Sequence, residues 1–262
     1  MERILANCRN IYTHLQCCHT DSRPCDCSCC LTEGFYGGSD TYTCVKKLCY
    51  YVMRYGSVYT NEIYYFLKST GLLENYFIDD LKVISLGCGF GPDYIALSKY
   101  INDKGINLQL KYVGYDKEVR WKKITDGIYT NLPSEKDLMQ GFSLAGYNLI
   151  FLNKIFSTLK SIGQHQQFLD ILVESILHTM QQGAILVFND VNHISMGRDY
   201  FHSVIANIIG VEGKYYFNVD GAYSGNYQPL SYSSNICTMP SDLPISPYRT
   251  VNKTVFFVYR KE

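Results

Sequence analysis

Lys82-Val-Ile-Ser-Leu-Gly87-Cys-Gly89-Phe-Gly91-Pro-Asp93 decides how this chain folds. Residues 83–86 form a short apolar run of the kind that makes a buried strand. The run breaks into Gly87, Gly89 and Gly91, after which Tyr94, Ile95, Leu97, Tyr100 and Ile101 recur at the spacing of a helix face. A strand that passes through glycines into a helix brings backbone close to a ligand and points a helix N-terminus at it.

Downstream, strand and helix patterns alternate. Residues 110–115 read as a second strand closed by Asp116, with a helix through Trp121 and Ile124. Residues 148–152 read as a strand. Residues 164–180 read as a helix with the stripe Phe168, Ile171, Leu172, Ile176 and Leu177, and residues 184–188 as a strand running into Asn189-Asp190. A helix over 200–209 precedes Gly210. Residues 214–219 and 254–260 predict a closing antiparallel pair, joined by a long loop whose tyrosines, including Tyr227, Tyr232 and Tyr248, suit stacking on a base or covering a pocket. Alternating units of this kind predict a parallel sheet with covering helices. In such a sheet the ligand sits outside the carboxyl ends of the strands, where the strand order reverses. That sets the glycine turn beside Asp116, about 25 residues beyond Gly91. A carboxylate closing the second strand can accept both hydroxyls of a ribose.

Val83-Ile-Ser-Leu-Gly-Cys-Gly-Phe-Gly-Pro-Asp93, followed by Tyr112-Val-Gly-Tyr-Asp116, closely resembles motifs I and II of class I S-adenosylmethionine-dependent methyltransferases. The resemblance covers about residues 79–262 and implies a Rossmann-like, seven-stranded, mostly parallel sheet with helices on both faces. It implies S-adenosylmethionine as cofactor, with Gly87, Cys88, Gly89 and Gly91 along the methionine end and ribose, and Asp116 on the ribose hydroxyls. Cys88 is then a backbone element and not a nucleophile. Tyr147 to Asn153 matches the family's fourth strand, whose end faces the methyl group, so Asn153 is expected to line the pocket. The chain departs from the family at Ser85, where Asp or Glu is usual; serine hydrogen-bonds there but adds no charge, and it is kept among the cofactor-binding positions.

The acceptor has a weaker signature. Asn153-Lys154-Ile155-Phe156 lacks the Asn/Asp-Pro-Pro-aromatic run that resembles amino-methylating nucleic-acid enzymes of this fold, and no lysine–aspartate–lysine–glutamate set of a ribose 2′-O type stands out. Lys154 and Lys160 read as solvated or helix-flanking. A sulfonium methyl is already activated, so holding a nucleophile in line does most of the work. An oxygen acceptor also needs a base, for which His193 and Asp190, at and beyond the end of the strand over 184–188, are the candidates.

The N-terminal region differs in kind. Eight of the 11 cysteines fall within residues 1–44. Cys27 and Cys30 stand in Cys-x-x-Cys spacing, and Cys17, Cys18 and Cys25 can complete a tetrahedral zinc set, with His14, His19 and Cys44 as alternatives. Zinc would supply folding energy that the few apolar residues there cannot. The first residues lack the apolar core of a secretory signal, and no apolar run approaches ~20 residues. A cytoplasmic, reducing setting is therefore expected, in which clustered cysteines point to metal before disulfides. Between this cluster and the first strand, Val45, Leu48 and Val52, then Ile63, Phe66 and Leu67 beyond Gly56-Ser57-Val58, predict two short helices closed by Gly71.

At 262 residues with 47% hydrophobic and 18% charged content, the chain suits one folded core plus an appendage. Its 24 Lys+Arg balance 24 Asp+Glu, so no global basic field announces nucleic acid. The reading is an α/β protein with a Cys-rich zinc-binding module over 1–44, a helical bridge over 45–78 and an S-adenosylmethionine-binding domain over 79–262. Methyl transfer is the expected function. RNA is the first-choice acceptor, because a cysteine–metal module beside the pocket suits substrate delivery. A small-molecule or protein acceptor is one alternative. The other is a non-catalytic cofactor-binding subunit that docks a partner chain through the cysteine module or the bridge. No membrane partner is expected.

Overall fold

The computed structural model describes residues 1–15, 44–77, 79–129, 132–217, 227–251 and 253–262. Cys17, Cys18, Cys25, Cys27 and Cys30, the expected zinc ligands, lie outside the described residues, as does His19. Among the described residues no group of three or more His, Cys, Asp or Glu is placed to hold a metal ion, and no helix is long and apolar enough to cross a membrane.

Two helices lead the described chain, α1 (Glu2–His14) and α2 (Val45–Thr70), followed by the short α3 (Leu72–Tyr76). The alternating part then runs β1 (Asp80–Leu86), α4 (Pro92–Lys104), β2 (Gln109–Asp116), α5 (Trp121–Thr125), β3 (Ser134–Glu135), β4 (Leu149–Asn153), α6 (Phe156–Ser161), α7 (His165–His178), β5 (Ile185–Val191), α8 (Arg198–Ile205), β6 (Gly210–Phe217), β7 (Gln228–Pro229) and β8 (Thr254–Arg260). The strands form one eight-stranded sheet in the order β3-β2-β1-β4-β5-β8-β6-β7. Strands β1 to β5 are parallel neighbours, and β8 runs antiparallel to both β5 and β6. This is a mixed α/β, Rossmann-like arrangement. The sheet has eight strands where seven are expected, because the two-residue β7 extends one edge beyond β6. The predicted closing pair is present, with β8 inserted between β5 and β6 so that the chain's last strand lies inside the sheet.

Near-continuous apolar strands follow from burial on both faces. Side chains alternate between them. Val83, Phe151, Val187, Phe256 and Val258 face a core completed by Phe66 and Leu67 of α2 and Leu97 and Tyr100 of α4. Ile84, Ile150, Leu186, Phe188 and Phe257 face the opposite core, completed by Phe168, Leu172 and Ile176 of α7 and Phe201 of α8.

The two helices expected over 45–70 are one 26-residue helix. Gly56 is not a break. It is buried, and a Cβ there would stand 2.6 Å from Met1 Cε and 3.3 Å from Phe90 Cζ. The missing side chain thus lets α1 and the glycine loop close on α2. Thr60 donates its hydroxyl to Gly56 O at 2.9 Å within the helix. Gly71, in the left-handed region at φ 60°, ends the helix and donates to Leu67 O at 3.0 Å. α1 belongs to the same body: Ile4, Leu5 and Cys8 pack with Leu48, Val52, Phe90 and Trp121, and Asn7 Nδ2 donates to Ile124 O at 2.7 Å at the end of α5. The boundary drawn at residue 44 therefore falls between two helices that share a core.

Candidate functional site

The glycine loop closes β1 by bonding across to β2. Gly87 N–H and Cys88 N–H both donate to Tyr115 O, at 2.8 and 3.0 Å, and Gly91 N–H donates to Cys88 O at 2.9 Å. Gly87 has φ 71°, and a Cβ on it would stand 2.4 Å from Ile155 Cδ1. Gly91 has φ 77°, and its Cβ would meet Leu132 Cδ2 at 2.6 Å. Both positions require glycine for conformation and for space. Cys88 turns its side chain down onto Gly114 of β2, where a Cβ would come within 2.6 Å of the Cys88 sulfur. Burial, then the nearby Asp116 and Asp93 charges, push its thiol pKa well up, so it has no thiolate to act as a nucleophile.

Asp116 ends β2 facing this loop. Its Oδ2 accepts from Gly89 N–H at 2.9 Å and its Oδ1 from Glu118 N–H at 2.9 Å. Each oxygen keeps lone-pair capacity for hydroxyl donors. Burial is the largest influence on the carboxyl and pushes its pKa up to about 6, against the opposing pull of those two N–H groups. A carboxyl raised in the folded state binds protons more tightly than in the unfolded chain. Its contribution to folding is therefore greatest in acid and is lost as pH rises from the ordinary carboxylate range through about 6.

One cleft joins these groups to the ends of β4 and β5. It is lined by Gly87, Cys88 and Gly89 on the loop, Asp116, and Asn153 and Asn189 at the far end. Leu138, Met139, Ile155, Leu159 and Ile162 form an apolar side. Asp137 stands at the rim of that side, its Oδ1 accepting from Met139 N–H at 3.0 Å. Aromatic rings also line the cleft: Tyr51 and Tyr59 come from α2, and Trp121 from α5.

The far end holds a buried ion pair. Lys154 Nζ lies 2.8 Å from Glu62 Oε2, with side-chain exposures of 10% and 2%. It also donates to Thr254 Oγ1 at 3.0 Å, whose hydroxyl in turn donates to Glu62 Oε1 at 2.7 Å. The ammonium lies 5.3 Å from the Tyr59 ring centroid. Lys154 is held at φ 54°, a conformation that costs free energy in a non-glycine residue and clusters at functional sites. It flanks α6, as one of the two sequence readings had it, but its side chain is largely covered in the cleft and is not solvated.

Of the residues singled out from sequence, Gly87, Cys88, Gly89, Asp116 and Asn153 come together on the cleft wall. Ser85 and Gly91 lie behind the loop, Gly91 as the residue preceding α4. Ser85 is fully buried, as is Asp93. Tyr112 Oη donates to Asp93 Oδ1 at 2.9 Å, and burial raises the Asp93 carboxyl. The acid absent at position 85 thus has a neighbour beneath the same loop. Asp190 and His193 are not on the cleft wall. Asp190 is spent on backbone, accepting from Ser157 N–H at 2.9 Å and Val191 N–H at 2.7 Å. His193 is in an exposed turn, its Nδ1 2.6 Å from Ser195 Oγ. Lys154, Asp137, Asn189 and the α2 tyrosines were not legible beforehand as cleft residues, nor was Glu62 as the buried partner of Lys154. The one available signal was the tyrosine spacing at 51, 55 and 59.

No protein-family model matches the chain, and no curated protein matches it. Among solved structures, the chain is similar to the N-methyltransferase NodS from Bradyrhizobium japonicum, with 11% identity, 78% of this chain and 96% of that one covered, and a TM-score of 0.46. It is similar to a TehB-like SAM-dependent methyltransferase from Corynebacterium glutamicum, with 14% identity, 75% and 92% covered, and a TM-score of 0.45. It is also similar to a SAM-dependent methyltransferase from Archaeoglobus fulgidus, with 11% identity, 77% and 94% covered, and a TM-score of 0.42.

Proposed function

We propose that the cleft binds S-adenosylmethionine and that the chain transfers its methyl group, with RNA as acceptor. The observation that carries the reading is the Asp116 carboxylate bonded to Gly89 N–H over a loop whose glycines leave no room for side chains. In this reading Asp116 accepts the ribose hydroxyls and the backbone of Gly87, Cys88 and Gly89 lies along the ribose and methionine end. The adenine enters the apolar side at Leu138 and Met139, its amine toward Asp137. Asn153 lines the pocket at the end of β4, where the methyl group is presented, and Ser85 and Gly91 support the loop from behind. S-adenosylmethionine supplies a methyl group on a sulfonium, which needs no further activation. The protein's part is to hold an acceptor in line with it and keep water away. The aromatic wall from α2 serves that exclusion.

Calorimetry with S-adenosylmethionine tests the cofactor, and absence of binding at millimolar ligand overturns the reading. Labelled methyl transfer into RNA, protein and small-molecule fractions tests the acceptor, and label in either of the last two displaces RNA. A hydroxyl donates best to an ionised carboxylate. Affinity is therefore expected to tighten as pH rises through about 6 and to level off above it. Below that value the affinity falls by up to about tenfold per pH unit. A flat profile across this range removes Asp116 from the contact.

The cysteine cluster at Cys17, Cys18, Cys25, Cys27 and Cys30 is proposed to bind zinc and to present the acceptor or a partner chain. Metal analysis of the purified protein tests this, with less than about half an equivalent of zinc per chain counting against it.

A further inference from the structure

The far end of the cleft has polar groups without partners. Asn153 and Asn189 are register partners at the ends of β4 and β5, and both line the cleft. Asn153 is 9% exposed and Asn189 1%. Both amide atoms of Asn153 and Nδ2 of Asn189 are buried with no hydrogen-bond partner among the described residues. Buried amides are nearly always paired. Two unpaired side by side, facing a cleft, mark the place where a ligand completes them.

The character of the ligand follows from the surroundings. Lys154 and Glu62 cancel each other, and Asp190, next to Asn189 and within reach of the Lys154 charge, adds no positive charge. A carboxylate or phosphate would find no net positive charge here. A neutral group that both donates and accepts hydrogen bonds matches the amide atoms on offer. The adjoining wall is made of rings, and these continue outward along α2. Tyr55 stacks on Tyr59 with centroids 5.8 Å apart and planes 10° from parallel. Tyr248 follows at 5.2 Å from Tyr55. Tyr248 is 47% exposed, and the Arg54 guanidinium lies 4.1 Å from its ring centroid. An exposed ring paired with a cation, at the outer end of a row that begins in the cleft, suits a base and its phosphate next to the one inside.

We infer that the acceptor is a nucleobase in a single-stranded nucleic acid. Its donor–acceptor edge is completed by Asn189 with Asn153, and the adjoining nucleotide rests on Tyr248 and Arg54. The inference rests on the S-adenosylmethionine reading above and narrows its acceptor.

Calorimetry on the full chain in three steps tests it. S-adenosylhomocysteine is titrated first, and a protein that does not bind it overturns the cofactor reading and this inference with it, before any acceptor is added. The four ribonucleosides are then titrated into the saturated complex, followed by a short single-stranded RNA of mixed sequence. At least one nucleoside is expected to bind saturably. Asn189→Leu is expected to weaken it about tenfold while leaving S-adenosylhomocysteine within about twofold. Asn189→Ser gives the same direction with a smaller change in shape, and the first titration reports in each variant that the cleft is intact. Tyr248→Ala is expected to weaken the RNA several-fold and the nucleoside not at all. No nucleoside or RNA binding to the saturated complex, or unchanged nucleoside affinity in both Asn189 variants, overturns the inference.

Discussion

Asp116→Ala is expected to lower the affinity for S-adenosylmethionine about 100-fold, the largest loss of any single substitution on the cofactor side. The carboxylate accepts from Gly89 N–H and Glu118 N–H, which sets the loop, and in the proposed reading its remaining lone pairs take the two hydroxyls of the ribose. Hydrogen bonds to a charged group contribute about 1.5–3 kcal/mol each, so losing two gives roughly 3 kcal/mol. Folding should not suffer in proportion. Burial raises this carboxyl to about 6, so at neutral pH the folded state carries a charge it disfavours, and the alanine variant is relieved of it. Calorimetry and a melting curve on the same sample separate the two effects. Affinity within about fivefold of the parent would place the ribose elsewhere.

The largest expected effect on stability is at Glu62. Glu62→Ala leaves the Lys154 ammonium buried between Thr254 and Tyr59 without its counter-charge. Removing one partner of a buried pair costs about 3–5 kcal/mol, because the remaining charge stays desolvated. Against a typical total of about 5–15 kcal/mol, that brings the fold close to its threshold. Replacing both partners, as Glu62→Leu with Lys154→Met, removes both charges and is expected to recover most of the loss. Urea unfolding of the parent, the two single variants and the double variant closes the cycle. A single-variant cost below about 1 kcal/mol would mean that Lys154 reaches solvent when its partner is removed.

The elements legible in the sequence are those whose signal is local. The run from Val83 to Gly91, the acid closing the second strand at Asp116 and the stripe from Phe168 to Leu177 each carry their own pattern, and each forms the element expected. Glu62 and Lys154 were illegible because what joins them is tertiary: no spacing along the chain announces a pair formed between α2 and the residue that follows β4. Lys154 also breaks a local rule, since a lysine at φ 54° is not suggested by its neighbours. Gly56 misled for the opposite reason. Glycine inside a helical pattern is read as a stop, yet here it serves close packing against Met1 and Phe90. Asp137 was lost in a stretch with no periodicity, where a two-residue strand and a short turn leave nothing to count.

The position of β8 has a bearing on the order of folding events. Residues 254–260 occupy an interior place in the sheet, bonded to β5 on one side and β6 on the other. Until they arrive, β5 has an unpaired edge, which invites wrong partners. The same strand brings Thr254 to Glu62 and Lys154. The cleft's far end is thus assembled from residues near the first quarter, the middle and the end of the chain. Contacts so distant in sequence form slowly. During synthesis, the glycine loop and Asp116 can be in place well before the buried charges meet, so a nascent chain is expected to form the glycine-loop half of the cleft first and the buried-charge end last.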